Sequence, residues 1–168
     1  MRHAIFGFIF VVLTFYSCFP INEIIIDTET GSKIAGHDKN CVFRIGKTKR
    51  SEIPEEQIIQ LKSTLSFRFA DDSQKGAQQG KIVSVGFAGR YATSSGIKAG
   101  DPVQKAIKAY GKPKAMILDY GEDHNVHWIL YGLFYENLAF VTDSAFTTIK
   151  GGVIGKEFDL SKKYIKKR

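Results

Sequence analysis

The stretch Asp101-Pro102-Val103-Gln104-Lys105-Ala106-Ile107-Lys108-Ala109-Tyr110-Gly111-Lys112-Pro113 is the most constraining feature of the chain. Its spacing predicts a helix over Pro102 to Tyr110. Asp101 is a suitable N-cap, and Pro102 stands at the first helical position, where its missing N–H costs nothing. Val103, Ala106, Ile107 and Tyr110 follow the i, i+3, i+4, i+7 stripe of one buried face. Gly111 supplies a left-handed terminator and Pro113 prevents continuation. So short a helix cannot stand alone in water, and its apolar face needs a sheet to lie on.

The rest of the chain provides strands. Leu65, Phe67 and Phe69 alternate with Ser66 and Arg68, and Lys81 to Phe87 forms a second apolar run beyond the polar stretch Asp71 to Gly80. Together they predict a hairpin with a long tip. Further strands are expected at Ala115–Asp119, Val126–Tyr131, Leu138–Thr142 and within Ala145–Ile154, with shorter ones at Ile24–Ile26 and Val42–Ile45. A second helix is expected over Ser51 to Leu61, where Ile58, Leu61 and Leu65 share a face. The predicted fold is α+β: an antiparallel sheet with one or two short helices packed on one face. Arg44-Ile45-Gly46-Lys47-Thr48 and Gly96-Ile97-Lys98-Ala99-Gly100-Asp101 each precede an expected helix, which raises the alternative of two repeated helix-plus-hairpin modules.

The amino terminus has a different character. Ala4 to Ser17 contains no charge and follows the basic start Met1-Arg2-His3. A bilayer span takes about 20 apolar residues, so this run is short for one and fits the core of a secretory signal. It ends at Phe15-Tyr16-Ser17-Cys18, which resembles a bacterial lipobox, with Cys18 as the acylated residue. The expected divisions are a signal peptide at 1–17, a lipid-anchor tether at 18–40, a single domain at 41–160 and a basic tail at 161–168. If Cys18 is not acylated, a disulfide with Cys41 becomes an alternative in an oxidising compartment.

Charge then needs locating. The 24 Lys and Arg residues outnumber the 17 Asp and Glu by seven. Arg2 and the five bases Lys162, Lys163, Lys166, Lys167 and Arg168 account for most of that excess. The remainder is close to neutral, which argues against a nucleic-acid-binding surface. The tail bases are candidates for contact with anionic lipid headgroups or an acidic partner.

Chemical motifs are few. Gly46-Lys47-Thr48 matches the end of a P-loop, but Cys41 stands where its first glycine is required, so no nucleotide is expected. Glu122, Asp123, His124 and His127 form the one acid–histidine cluster; in a strand the odd spacing of the histidines separates them, and no metal is expected. His37 precedes Cys41 by four residues without a third orienting group, so no catalytic residue or cofactor is assigned. Trp128, Tyr131, Phe134 and Tyr135 lie in the densest aromatic stretch. If the sheet is covered on one face only, part of this set is exposed and suits a protein partner.

Residues 44–62 and 96–150 resemble the small module of the SmpA/OmlA family of bacterial envelope lipoproteins, whose best known member belongs to the outer-membrane β-barrel assembly machinery. The resemblance rests on Arg44-Ile45-Gly46-Lys47-Thr48 leading into a helix. It rests also on the helix exit Tyr110-Gly111-Lys112-Pro113 and on the aromatic strands Trp128–Tyr131 and Leu138–Val141. The first expected helix lacks the family's Gly-x-Pro exit, since Lys62 and Ser63 follow Leu61. The resemblance implies a non-enzymatic, lipid-anchored envelope protein, held at the outer membrane through Cys18, that binds a protein partner. The alternatives are a secreted periplasmic inhibitor or ligand-binding protein without lipid and, behind it, a metal-dependent enzyme.

Overall fold

The computed structural model contains, among its described residues, two antiparallel-dominated sheets and one α-helix of eight residues. It describes residues 21–55, 64–70, 80–123 and 126–155, with 119–123 and 126–128 described as backbone. The strands run β1 (Ile24–Asp27), β2 (Lys33–Gly36), β3 (Phe43–Arg44), β4 (Leu65–Phe69), β5 (Ile82–Phe87) and β6 (Tyr91–Thr93). After the helix α1 (Val103–Tyr110) come β7 (Ala115–Asp123), β8 (Val126–Phe134), β9 (Leu138–Thr142) and β10 (Ile149–Gly155).

The smaller sheet has the order β3-β2-β1-β6 and the larger β4-β5-β10-β9-β8-β7. All ladders are antiparallel except β2 with β3. The expected hairpin of β4 and β5 forms, with Phe67 opposite Val85. The expectation of one sheet is corrected to two. The source of the difference is the segment assigned to a tether: Ile24–Asp27 and Lys33–Gly36 lie inside 18–40 and build the centre of the smaller sheet. Their alternation puts Ile25 and Ala35 into the core, both fully buried.

A single core joins the sheets. Ile25, Ala35 and Phe43 from the smaller sheet, Val85, Leu133, Phe140 and Ile154 from the larger, and Val103 and Ala106 from α1 belong to it. Phe43 meets the Phe67 ring edge-on at 4.8 Å, tying β3 to β4.

The helix forms where the spacing predicts, with a different start. The Asp101 carboxylate accepts from the Lys98 amide at 3.0 Å and the Lys105 ammonium at 2.9 Å, so it closes the preceding turn rather than capping α1. The Val103 N–H donates instead to the Thr147 carbonyl at 3.1 Å, fastening the helix to the β9–β10 turn. At the other end Gly111 has φ +76° and its N–H donates to the Ile107 carbonyl at 2.8 Å.

Where the second helix is expected, a 3₁₀ turn spans Arg50–Glu52 and Glu55 is helical, while 56–61 lie outside the described residues. Ile58 and Leu61 lie outside the described residues, and Leu65 opens β4.

The two sheets share their ends. The Gly46 N–H donates to the Ile82 carbonyl at 2.7 Å, and the Tyr110 hydroxyl to the Thr93 hydroxyl at 2.8 Å. This end gathers the start of β1, the close of α1, the β8–β9 turn and the last residue of β10, whose N–H donates to the Asn137 carbonyl at 2.9 Å. The start of α1, the β9–β10 turn and the tip of the β7–β8 hairpin lie at the opposite end.

Candidate interaction surface

The β7–β8 hairpin extends past its neighbour. Its ladder runs from Ala115 opposite Phe134 to Asp123 opposite Val126. Strand β9 pairs with β8 only at Gly132, Leu133 and Phe134. Among the described strands, residues 126–131 of β8 thus have a ladder on the β7 side alone. Edge backbone of this kind is a template for strand addition by another chain.

At the root of this ribbon, Tyr131 is half-buried and meets the Phe146 ring edge-on at 5.8 Å. Phe146 has φ +53°, a left-handed conformation unusual for a bulky residue. The loop holds it there. The Asp143 carboxylate accepts from the Thr147 amide at 2.7 Å, the Thr147 hydroxyl at 2.6 Å and the Thr148 amide at 3.2 Å. The Thr147 hydroxyl and amide keep the Asp143 carboxyl below its usual range, and the Lys150 charge adds to this. Strain retained in this way is common at recognition sites.

The aromatic set divides. Trp128 lies opposite Gly121 in the ladder, and its side chain is outside the described residues. Phe134 is fully buried in a second cluster with Ala115, Leu118 and Ala139, so its expected contact role is corrected to core packing. Tyr135 is corrected likewise. It is 6% exposed, and its hydroxyl donates to the Gly111 carbonyl at 3.0 Å, closing the end of α1. The strand alternation misled here, because Phe134 packs with Ala115 and Leu118 of β7 and Ala139 of β9 and is itself fully buried. Of the three whose side chains are described, Tyr131 remains, with Phe146 added.

The other candidates separate. Glu122 lies opposite His127 in the backbone ladder, and His124 is outside the described residues. Among the described residues no three His, Cys, Asp or Glu gather as a metal site. In the Gly46–Thr48 turn, the amides of Lys47 and Thr48 both donate to the Arg44 carbonyl, and that of Gly46 to Ile82. All three are committed to the fold, leaving none to cradle a phosphate. Cys41 is a buried free thiol whose pKa is raised by burial and then by the Asp38 charge, whereas His37 is exposed. Such a thiol is an inert packing group. Cys18 and the tail bases lie outside the described residues.

One cluster escaped the sequence reading. Glu23 is 7% exposed, and its carboxylate accepts from the Ser94 hydroxyl and from the Ser95 hydroxyl at 2.7 Å. The Ser94 N–H donates to the Ile24 carbonyl at 2.9 Å, so backbone and side chain together clamp the start of β1 to the β6–α1 loop. Tyr110 stands beside them, and burial pushes its phenol well above the usual range. Both carboxylate oxygens are engaged, so the cluster serves as a latch. The only signal in the sequence is a lone acid leading an isoleucine run, and its partners lie more than 70 residues away.

No family model, no curated protein and no solved structure matches this chain.

Proposed function

We propose that the protein is a lipid-anchored component of a bacterial cell envelope that works by binding a protein partner, not by catalysis. The observation that carries this reading is the uncharged run at 4–17 closed by Cys18, followed within three residues by Ile21, which already packs on the core. A signal and an acylated cysteine explain that arrangement. The outer membrane is the expected site, with the domain in the periplasm or at the surface.

The reading places the partner contact on the β7–β8 ribbon and the Tyr131–Phe146 pair. Support comes from the ladder running past β9, the strained Phe146 backbone and the rigid aromatic pair beside it. The resemblance to the SmpA/OmlA module points the same way, with α1 leading into aromatic strands. The test is a photo-crosslinking residue placed at Tyr131 in cells. One discrete crosslinked partner, absent when the residue is placed at exposed Lys39, is expected. Identical crosslinking from both positions contradicts the reading.

A further inference from the structure

The long hairpin has one guarded edge and one open edge. If the ladder of β8 with β9 kept its register beyond Gly132 and Val141, Asp143 would stand opposite Leu130. Instead the Asp143 carboxylate accepts from Thr147 and Thr148 and closes the β9–β10 turn. Among the described strands, 126–131 of β8 is therefore an edge about 20 Å long at the usual strand rise. It reads Val126-His127-Trp128-Ile129-Leu130-Tyr131, without Lys, Arg, Asp, Glu, Pro or Gly. The outer edge of β7 differs. Pro113 and Lys114 lead into it, Asp119, Glu122 and Asp123 belong to it, and its ladder with β8 is interrupted between Ala115 and Ile117 and between Asp119 and Gly121. Charges, proline and bulges are the features that keep an edge from pairing, and the β8 edge has none of them.

Charge along the open edge has one sign. All 24 Lys and Arg residues lie outside 115–149, and that stretch contains Asp119, Glu122, Asp123, Glu136 and Asp143. Asp119, Glu122 and Asp123 stand opposite Ile129, His127 and Val126 in the ladder, and Asp143 lies in the turn where β9 stops. Glu136 is at the other end of β8 and bonds Lys114 at 3.0 Å. In a chain with an excess of seven bases, the open edge is thus flanked by acids alone.

We propose that 126–131 of β8 takes a basic, extended segment of the partner protein, which adds as a strand end to end with β9. The inference rests on the ribbon reading above and names the chemistry of its partner. An extended polypeptide supplies N–H and C=O groups at the spacing of a strand edge. The acids on β7 and in the β9–β10 turn select one with Lys or Arg at alternate positions, and repel an acidic one. The Tyr131–Phe146 pair stands at the β9 end of the slot and fixes where the added strand stops.

The test uses the full chain and three hexapeptides. One alternates lysine with valine, one alternates glutamate with valine, and one is the lysine peptide with its alternate amides N-methylated. Amide hydrogen exchange is read along the whole protein. The lysine peptide should slow exchange within 126–131 several-fold, and high salt should reverse this. The N-methylated peptide keeps every charge and loses its backbone donors, so it should bind about tenfold more weakly or worse. The glutamate peptide should not bind. Equal binding of the N-methylated peptide overturns the inference, because the contact is then charge without strand pairing. Equal binding of the glutamate peptide, or protection of other strands instead of β8, overturns it too. Protection of 126–131 that grows with protein concentration and without peptide puts a second copy in the slot and also overturns it. A discrete crosslinked partner at Tyr131 with no peptide binding removes this inference and leaves the ribbon reading standing. Peptide protection at 126–131 with no such crosslink supports the edge chemistry and removes the cellular partner.

Discussion

The Tyr135 hydroxyl donates to the Gly111 carbonyl across 3.0 Å, so a residue of the β8–β9 turn completes the end of the helix that begins 32 residues earlier. The ring of the same residue packs on Tyr110, which in turn packs on Phe140 with centroids 5.6 Å apart. Helix, sheet and the end where the chain enters are therefore coupled through two tyrosines. Tyr135→Phe keeps the ring and removes one hydrogen bond, which should cost about 0.5–1.5 kcal/mol in a urea unfolding experiment. Tyr135→Ala should cost about 3–5 kcal/mol.

Alkaline pH should act at the same place. Burial pushes the Tyr135 phenol up to about 12 and raises Tyr110 as well. Both favour the fold fully below the unfolded phenol value of about 10, and that contribution is lost as pH rises through the folded values. The melting temperature should fall above about pH 10, and less steeply in Tyr135→Phe. An unchanged slope in that variant would show that Tyr135 is not the responsive group.

Acid acts at the opposite end. The Thr147 hydroxyl and amide hold the Asp143 carboxyl low, so its contribution is present above the unfolded value of about 3.9 and lost as pH falls through the lower folded one. Asp143→Asn should be less stable than the native protein at neutral pH, and the gap should close in strong acid. A gap that persists there would mean the effect is steric.

Much of this was legible beforehand, for identifiable reasons. The helix over Val103–Tyr110 and the strands β4, β5, β7, β8, β9 and β10 follow from short-range periodicity and punctuation by Gly and Pro. What escaped depends on distant pairing. β2, Lys33–Gly36, sits in a polar, glycine-bearing stretch and becomes a strand because β1 and β3 flank it. β6, Tyr91–Thr93, is three residues long and pairs with Ile25–Asp27, more than 60 positions away. The burial of Phe134 depends on its packing with Ala115, Leu118 and Ala139 of the neighbouring strands, which alternation cannot report. Asp101 had the right type for a cap, but Lys98 and Lys105 compete for its carboxylate.

The Glu23 latch is expected to set the stability of the smaller sheet. Glu23→Ala leaves the Ser94 and Ser95 hydroxyls without their acceptor and should cost about 1.5–3 kcal/mol, as for hydrogen bonds to a charged group. Limited proteolysis should then cut within the β1–β2 hairpin before any other described segment. Cleavage elsewhere first would show that another contact holds this sheet.

Cys41 should not react with a maleimide in the native protein and should react once denaturant is added, because burial raises its pKa and hides the sulfur. Reaction at the rate of a free thiol under native conditions would contradict its placement.

The anchor is the central claim, and growth of cells with a radiolabelled fatty acid tests it most directly. The account predicts label on the native protein and none on Cys18→Ala. An unlabelled native protein, or label that persists in Cys18→Ala, would contradict it.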